Sequence, residues 1–267
     1  MESGGGVWPA VRRQGKRLVV WLVALLLVLA SVGIVVVDSP YRAIEGSVEA
    51  VEDDDRVTLS RIGGGYLLKP ANAEPTAGVV FYPGALVHPD AYVASLAPLV
   101  AAGNVTVVTP RMPLHLAIVD YGAARTPLWE DRATAAMDRQ SSVDRWYVGG
   151  HSLGGAIACR YAETNAGDVS GLILYGAYCD RSISGTDLAV LSVTGRGDTV
   201  LNRDADDRNL DNLPEDATVV ELPGLNHTQF GSYTGQSGDS PTGTSYETAH
   251  ERLNAVVVPW LQNETAG

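Results

Sequence analysis

Lysine is almost absent from this chain: Lys16 and Lys69 are the only two in 267 residues. Basic residues of both kinds are outnumbered by acidic ones, 19 to 31, for a formal net charge of −12. Phosphate recognition needs clustered Lys and Arg, so a nucleic-acid partner is excluded. Cysteine is down to Cys159 and Cys179. Two cysteines permit one disulfide without requiring it, and two small buried apolar residues are the equal alternative. Internal repeats and low-complexity tracts do not occur.

What is present suits one folded α/β domain: 267 residues can bury a substantial core, and 45% hydrophobic with 19% charged residues is a globular composition. The charges are unevenly placed. Arg12, Arg13, Lys16 and Arg17 precede residue 18 with a single acid, Glu2, so from residue 38 onward 15 basic residues face 30 acidic ones, about −15 net. An acid-rich, lysine-poor surface stays hydrated at high salt through its own charge, which predicts a halophilic protein; an ordinary acidic exterior domain is the alternative.

Leu18 to Val37 is an uncharged run of 20 residues, interrupted in its apolar character only by Ser31 and Gly33. At about 1.5 Å per residue this spans roughly the 30 Å of a bilayer core. The basic flank before it and the acids after it predict a transmembrane helix over 18–37, with residues 1–17 as a cytoplasmic tail and the rest outside. The competing reading is a signal peptide cleaved after Val28-Leu29-Ala30, with secretion of the remainder. The run is longer than the roughly 7–15 apolar residues of a signal peptide and continues past that point.

Residues 38–56 read as an acidic tether, 57–262 as the main domain and 263–267 as a C-terminal tail. Val57–Ile62 and Tyr66–Leu68 alternate around glycines like a hairpin. Continuous apolar runs follow at Gly78–Tyr82, Val105–Val108, Trp146–Val148, Leu172–Tyr175 and Leu188–Val193, the pattern of strands buried on both faces of a parallel sheet. Thr218–Leu222 reads as an edge strand. Helical segments are expected at about 90–102, 113–123, 126–140, 152–165, 203–212 and 243–262, with Pro259 ending or kinking the last near Val258. The fold class is therefore α/β: a doubly wound, mostly parallel sheet opened by an antiparallel hairpin. Only about nine residues separate Tyr178 from Leu188, which leaves no room for a lid. The Gly/Ser/Thr-rich stretch 231–244 is expected to be a mobile loop.

Gly150-His151-Ser152-Leu153-Gly154 sits between a strand run and a helical run. G-x-S-x-G in that setting is a nucleophile elbow, whose turn is too tight for side chains two positions either side of the serine. A serine hydroxyl needs a base to take its proton and an acid to orient that base. Asp198 follows the next strand but one, and His227 follows the strand after that. Ser, Asp, His is the α/β-hydrolase order, and all three stand beyond the carboxyl ends of strands. Asp180, Asp204, Asp206 and Asp207 are rival acids; His88 and His115 fall in segments at the pocket edge, and His250 on the terminal helix. Tyr82, Tyr92 and Trp129 are expected in the core, with a pocket wall as the alternative. An oxyanion needs two backbone N–H donors. Leu153, after the nucleophile, is one; Ala85 in Pro83-Gly84-Ala85 is the other, with Leu86 as fallback.

Phe81-Tyr82-Pro83-Gly84-Ala85-Leu86-Val87, Met112-Pro113-Leu114, Gly149–Gly155 and Asn226-His227-Thr228-Gln229-Phe230-Gly231 carry a resemblance to the serine α/β-hydrolase superfamily over residues 57–262. The chain resembles its small lidless branch, α/β-hydrolase family 5, and is broadly similar to dienelactone hydrolases. Those use cysteine at the elbow, and dehalogenases and epoxide hydrolases use aspartate, so Ser152 departs from all three. The resemblance implies a carboxylesterase-like serine hydrolase acting on a small-molecule acyl substrate, with no cofactor and no metal. A surface acyltransferase using the same triad and a non-catalytic binding module of the same fold are the alternatives.

Overall fold

The continuous apolar runs become strands with no solvent-facing side. A computed structural model describes residues 39–124 and 131–266. In chain order, a one-turn helix α1 (Glu49–Glu52) leads into β1 (Val57–Ile62), β2 (Gly65–Pro70), β3 (Ala77–Tyr82), α2 (Val93–Gly103) and β4 (Val105–Thr109). Then come α3 (Ala117–Ala124), α4 (Arg132–Asp138), β5 (Trp146–His151), α5 (Leu153–Thr164), β6 (Gly171–Tyr175), β7 (Ala189–Gly195), α6 (Arg203–Asn209), β8 (Thr218–Leu222) and α7 (Tyr246–Ala266). The eight strands form one sheet in the order β1-β2-β4-β3-β5-β6-β7-β8. The hairpin and its β2–β4 junction are antiparallel, and every other pairing is parallel. Every residue of β3, β4, β5 and β6 is buried, whereas β8, at the edge, is largely solvent-facing.

The period of two along β3 sorts its side chains between two cores. Val79 and Phe81 join α2 and α7 on one face through Leu96, Leu253 and Leu261. Val80 and Tyr82 join α5 on the other through Ile157 and Ala158. Each fully buried aliphatic or aromatic side chain of this kind contributes roughly 1.5–3 kcal/mol. Between β6 and β7, residues 176–188 hold no helix or strand, so no lid rises there. Cys159 on α5 and Cys179 in that loop form a disulfide, with Cα atoms 5.3 Å apart.

Three expectations are corrected. The acidic tether is packed chain from Tyr41 onward: Tyr41 bridges to Val87, the Ile44 N–H donates to the Ser232 carbonyl at 2.7 Å, and Val48 and Val51 are buried in the core. Pro259 does not end the last helix, which runs on to Ala266. Pro259 and Ala255, whose carbonyl loses its partner, both face solvent, while Leu253, Val257 and Leu261 hold the opposite face in the core. The stretch 231–244, expected as a mobile loop, is hydrogen-bonded to Thr199, Asn226, His227 and Gln229. The tail at 1–17, the transmembrane helix at 18–37, Trp129 and the start of the helix expected from 126 lie outside the described residues. Among the described residues no helix is long and apolar enough to cross a membrane.

Candidate active site

Ser152 stands at the turn from β5 into α5 with φ +54° and ψ −126°. A non-glycine residue there is strained by about 1–3 kcal/mol, and the surroundings must over-determine it. They do. The Ser152 N–H donates to the Tyr175 carbonyl at 3.0 Å. A Cβ on Gly150 would come within 2.5 Å of the Gly154 backbone, and one on Gly154 within 2.2 Å of the Tyr82 carbonyl. The helix therefore starts hard against the end of β3, which brings Leu153 beside the Pro83–Ala85 loop.

Asp198 lies in the loop after β7, and His227 opens a 3-10 turn, His227–Phe230, capped reciprocally by Asn226 and Gln229. The structure joins these two residues. Asp198 Oδ2 is 2.7 Å from His227 Nδ1, with both side chains buried. Asp198 Oδ1 accepts the N–H groups of Val200 and Leu201, each at 2.9 Å. Burial opposes charge on this carboxyl, yet the hydrogen bond and charge of His227 and the two backbone donors outweigh it, so Asp198 titrates below the ordinary carboxylate value. An ionised acid at Nδ1 fixes the ring proton there and leaves the Nε2 lone pair for chemistry. Nε2 is buried without a hydrogen-bond partner among the described residues.

Ser152 and His227 line one cavity of about 270 Å³, with Ala156, Ala177, Val200 and Leu201 among its walls. No lysine, arginine, aspartate or glutamate is among its described lining residues. The N–H groups of Leu153 and Ala85 have no hydrogen-bond partner among the described residues. The Leu86 N–H is spent on the His115 carbonyl at 2.8 Å, which removes the fallback donor.

The rival acids stand elsewhere. Asp180 grips Arg160 at 3.0 Å, and Asp204, Asp206 and Asp207 ride on α6. His88 packs beside His115, ring centroids 5.6 Å apart, and its Nδ1 accepts the Asp90 N–H. His250 Nε2 donates to the Gly231 carbonyl. Tyr82 is fully buried and donates to Asp131, a core role. Tyr92 does more than fill the core: its hydroxyl accepts the Gly84 N–H at 3.0 Å and contacts His151 Nδ1 at 2.8 Å. It thereby ties the loop bearing Ala85 to the elbow. Burial, with the nearby charge of His227, pushes the His151 pKa well below the usual histidine value. No local pattern marked that relay. Among the described residues no group of three or more His, Cys, Asp or Glu converges as a metal site.

An open, mostly parallel sheet of eight strands, with a serine on a sharp strand-to-helix turn, defines the α/β-hydrolase class. A family model described as "Alpha/beta hydrolase family" matches residues 78–251, and the chain belongs to that family. In structure it is similar to a protein from Thermoplasma acidophilum described as a predicted CIB-like hydrolase, at 15% sequence identity and a TM-score of 0.52, covering 78% of this chain and 98% of the other. At that identity the likeness carries the fold alone. No curated protein matches the chain in sequence.

Proposed function

We propose that the protein is a serine hydrolase that cleaves an ester or related acyl bond through an acyl-enzyme. One observation carries the reading: His227 is held at Nδ1 by Asp198, its Nε2 has no hydrogen-bond partner among the described residues, and it lines a cavity with Ser152. Ser152 Oγ attacks the carbonyl carbon as Nε2 takes its proton. The oxyanion rests on the N–H groups of Leu153 and Ala85. Collapse breaks the bond to the leaving oxygen, which receives the proton from His227. Water, deprotonated by the same nitrogen, then releases the acid and regenerates Ser152. A cavity of about 270 Å³ with apolar walls and no fixed charge suits a short, uncharged acyl group.

Ser152→Ala is expected to abolish turnover of p-nitrophenyl acetate and covalent labelling by a fluorophosphonate probe. Labelling that persists in this variant overturns the assignment. The domain is read as working outside the membrane, anchored by residues 18–37, in a salt-rich milieu. The basic flank before that run, the acid excess after it and a disulfide suited to an oxidising exterior support this.

A further inference from the structure

The stretch after the histidine turn reads as a slack surface loop, yet three consecutive residues of it are engaged by the two triad loops. The Asp239 carboxylate accepts the His227 N–H on Oδ1 and the Thr228 N–H on Oδ2, each at 3.0 Å. On one side of it, the Gly238 carbonyl accepts from the hydroxyl of Thr199, the neighbour of Asp198, at 2.7 Å. On the other, the Ser240 N–H donates to that same Thr199 oxygen at 3.0 Å, and the Ser240 carbonyl accepts from the Asn226 side chain at 3.1 Å. Gly238 has φ +87°, a backbone state that costs a side chain and lets the segment turn both ways.

We infer that Gly238-Asp239-Ser240 is a clamp that locks the loop bearing Asp198 to the turn bearing His227, and that Asp239 is a positioning residue for catalysis. The physical case is one of degrees of freedom. Asp198 and His227 come from two separate loops, and their 2.7 Å contact by itself leaves the imidazole free to swing with its turn. Two charge-assisted bonds to consecutive backbone N–H groups fix the turn, and the two bonds at Thr199 fix the acid loop to the same tripeptide. The bland alternative is that Asp239 merely caps a short turn, which affects stability and leaves the kcat of the folded protein unchanged.

The inference rests on the serine-hydrolase reading, and the test separates the two. In the full-length chain, Asp239→Ala is expected to lower kcat about 100-fold with KM for p-nitrophenyl acetate unchanged, the scale of a displaced catalytic group. Asp239→Asn, which keeps one acceptor, is expected to recover part of the loss. Thr199→Val severs the acid side; if the clamp is one unit, combining it with Asp239→Ala adds little further loss. Proton NMR gives a readout that needs no turnover. The low-field Nδ1–H signal of the Asp198–His227 bond is expected to disappear in Asp239→Ala while the amide spectrum stays dispersed. Wild-type kcat in Asp239→Ala, fully additive losses, or an unchanged low-field proton overturns the clamp. A wild-type protein that carries the low-field proton but never reacts with the fluorophosphonate probe overturns the hydrolase reading instead.

Discussion

Tyr92 carries two hydrogen-bonding duties with one oxygen, from the middle of the core, where it is fully buried. Among the described residues its hydroxyl is the one acceptor of the Gly84 N–H. Tyr92→Phe keeps the ring's packing and strands that N–H, a loss of about 1–3 kcal/mol. Urea denaturation is expected to show a loss of that size. Because Ala85 follows Gly84, kcat for p-nitrophenyl acetate should fall with it, and unchanged kcat would show that the oxyanion loop holds itself. Sequence reading places Tyr92 in the core, which holds, but an aromatic on a helical stretch gives no sign of what its hydroxyl meets. Its partners, Gly84 and His151, are brought to it by the pairing of β3 with β5, which no window of neighbouring residues encodes.

At the scale of elements, apolar runs marked the strands well because burial on both faces demands unbroken Val, Ile, Leu and Tyr. Boundaries set by chain-distant packing were hidden. Pro259 breaks a helix in isolation, but the stripe Leu253, Val257 and Leu261 anchors α7 on both sides of it. The disulfide is a second case: Cys159 and Cys179 meet because the elbow sends α5 back across the end of β6. Closing a loop of 20 residues removes denatured-state entropy of about 3 kcal/mol. The Cys159→Ala/Cys179→Ala double variant, or treatment with a reductant, is expected to lower the melting temperature accordingly. A melting curve indifferent to reductant would show that the bridge contributes nothing.

For the molecule as a whole, charge is the variable to test. About −15 net from residue 38 onward is self-repulsion that salt relieves. The melting temperature is expected to rise steeply from dilute buffer to molar KCl, and full stability in dilute buffer would sink the halophilic reading. The apolar run at 18–37 makes a separate prediction. The full-length chain should sediment with membranes and resist alkaline extraction, whereas the chain begun at residue 40 should not. Release of full-length protein by alkali would rule out a spanning anchor.

The amino-acid sequence by itself determined the order of strands and helices, the elbow at 150–154, and the succession Ser152, Asp198, His227. Each is written in neighbouring residues: glycines about a serine, apolar runs, a polar residue just past a strand. The tertiary structure alone decided that Asp198 rather than Asp180 meets the histidine, that the Leu86 N–H is spent while that of Ala85 has no partner among the described residues, and that Gly238, Asp239 and Ser240 grip the loops bearing Asp198 and His227. These depend on which hydrogen-bonding groups are left unpaired once the sheet has closed, and on contacts across tens of residues, which only the folded sheet and its loops bring within reach.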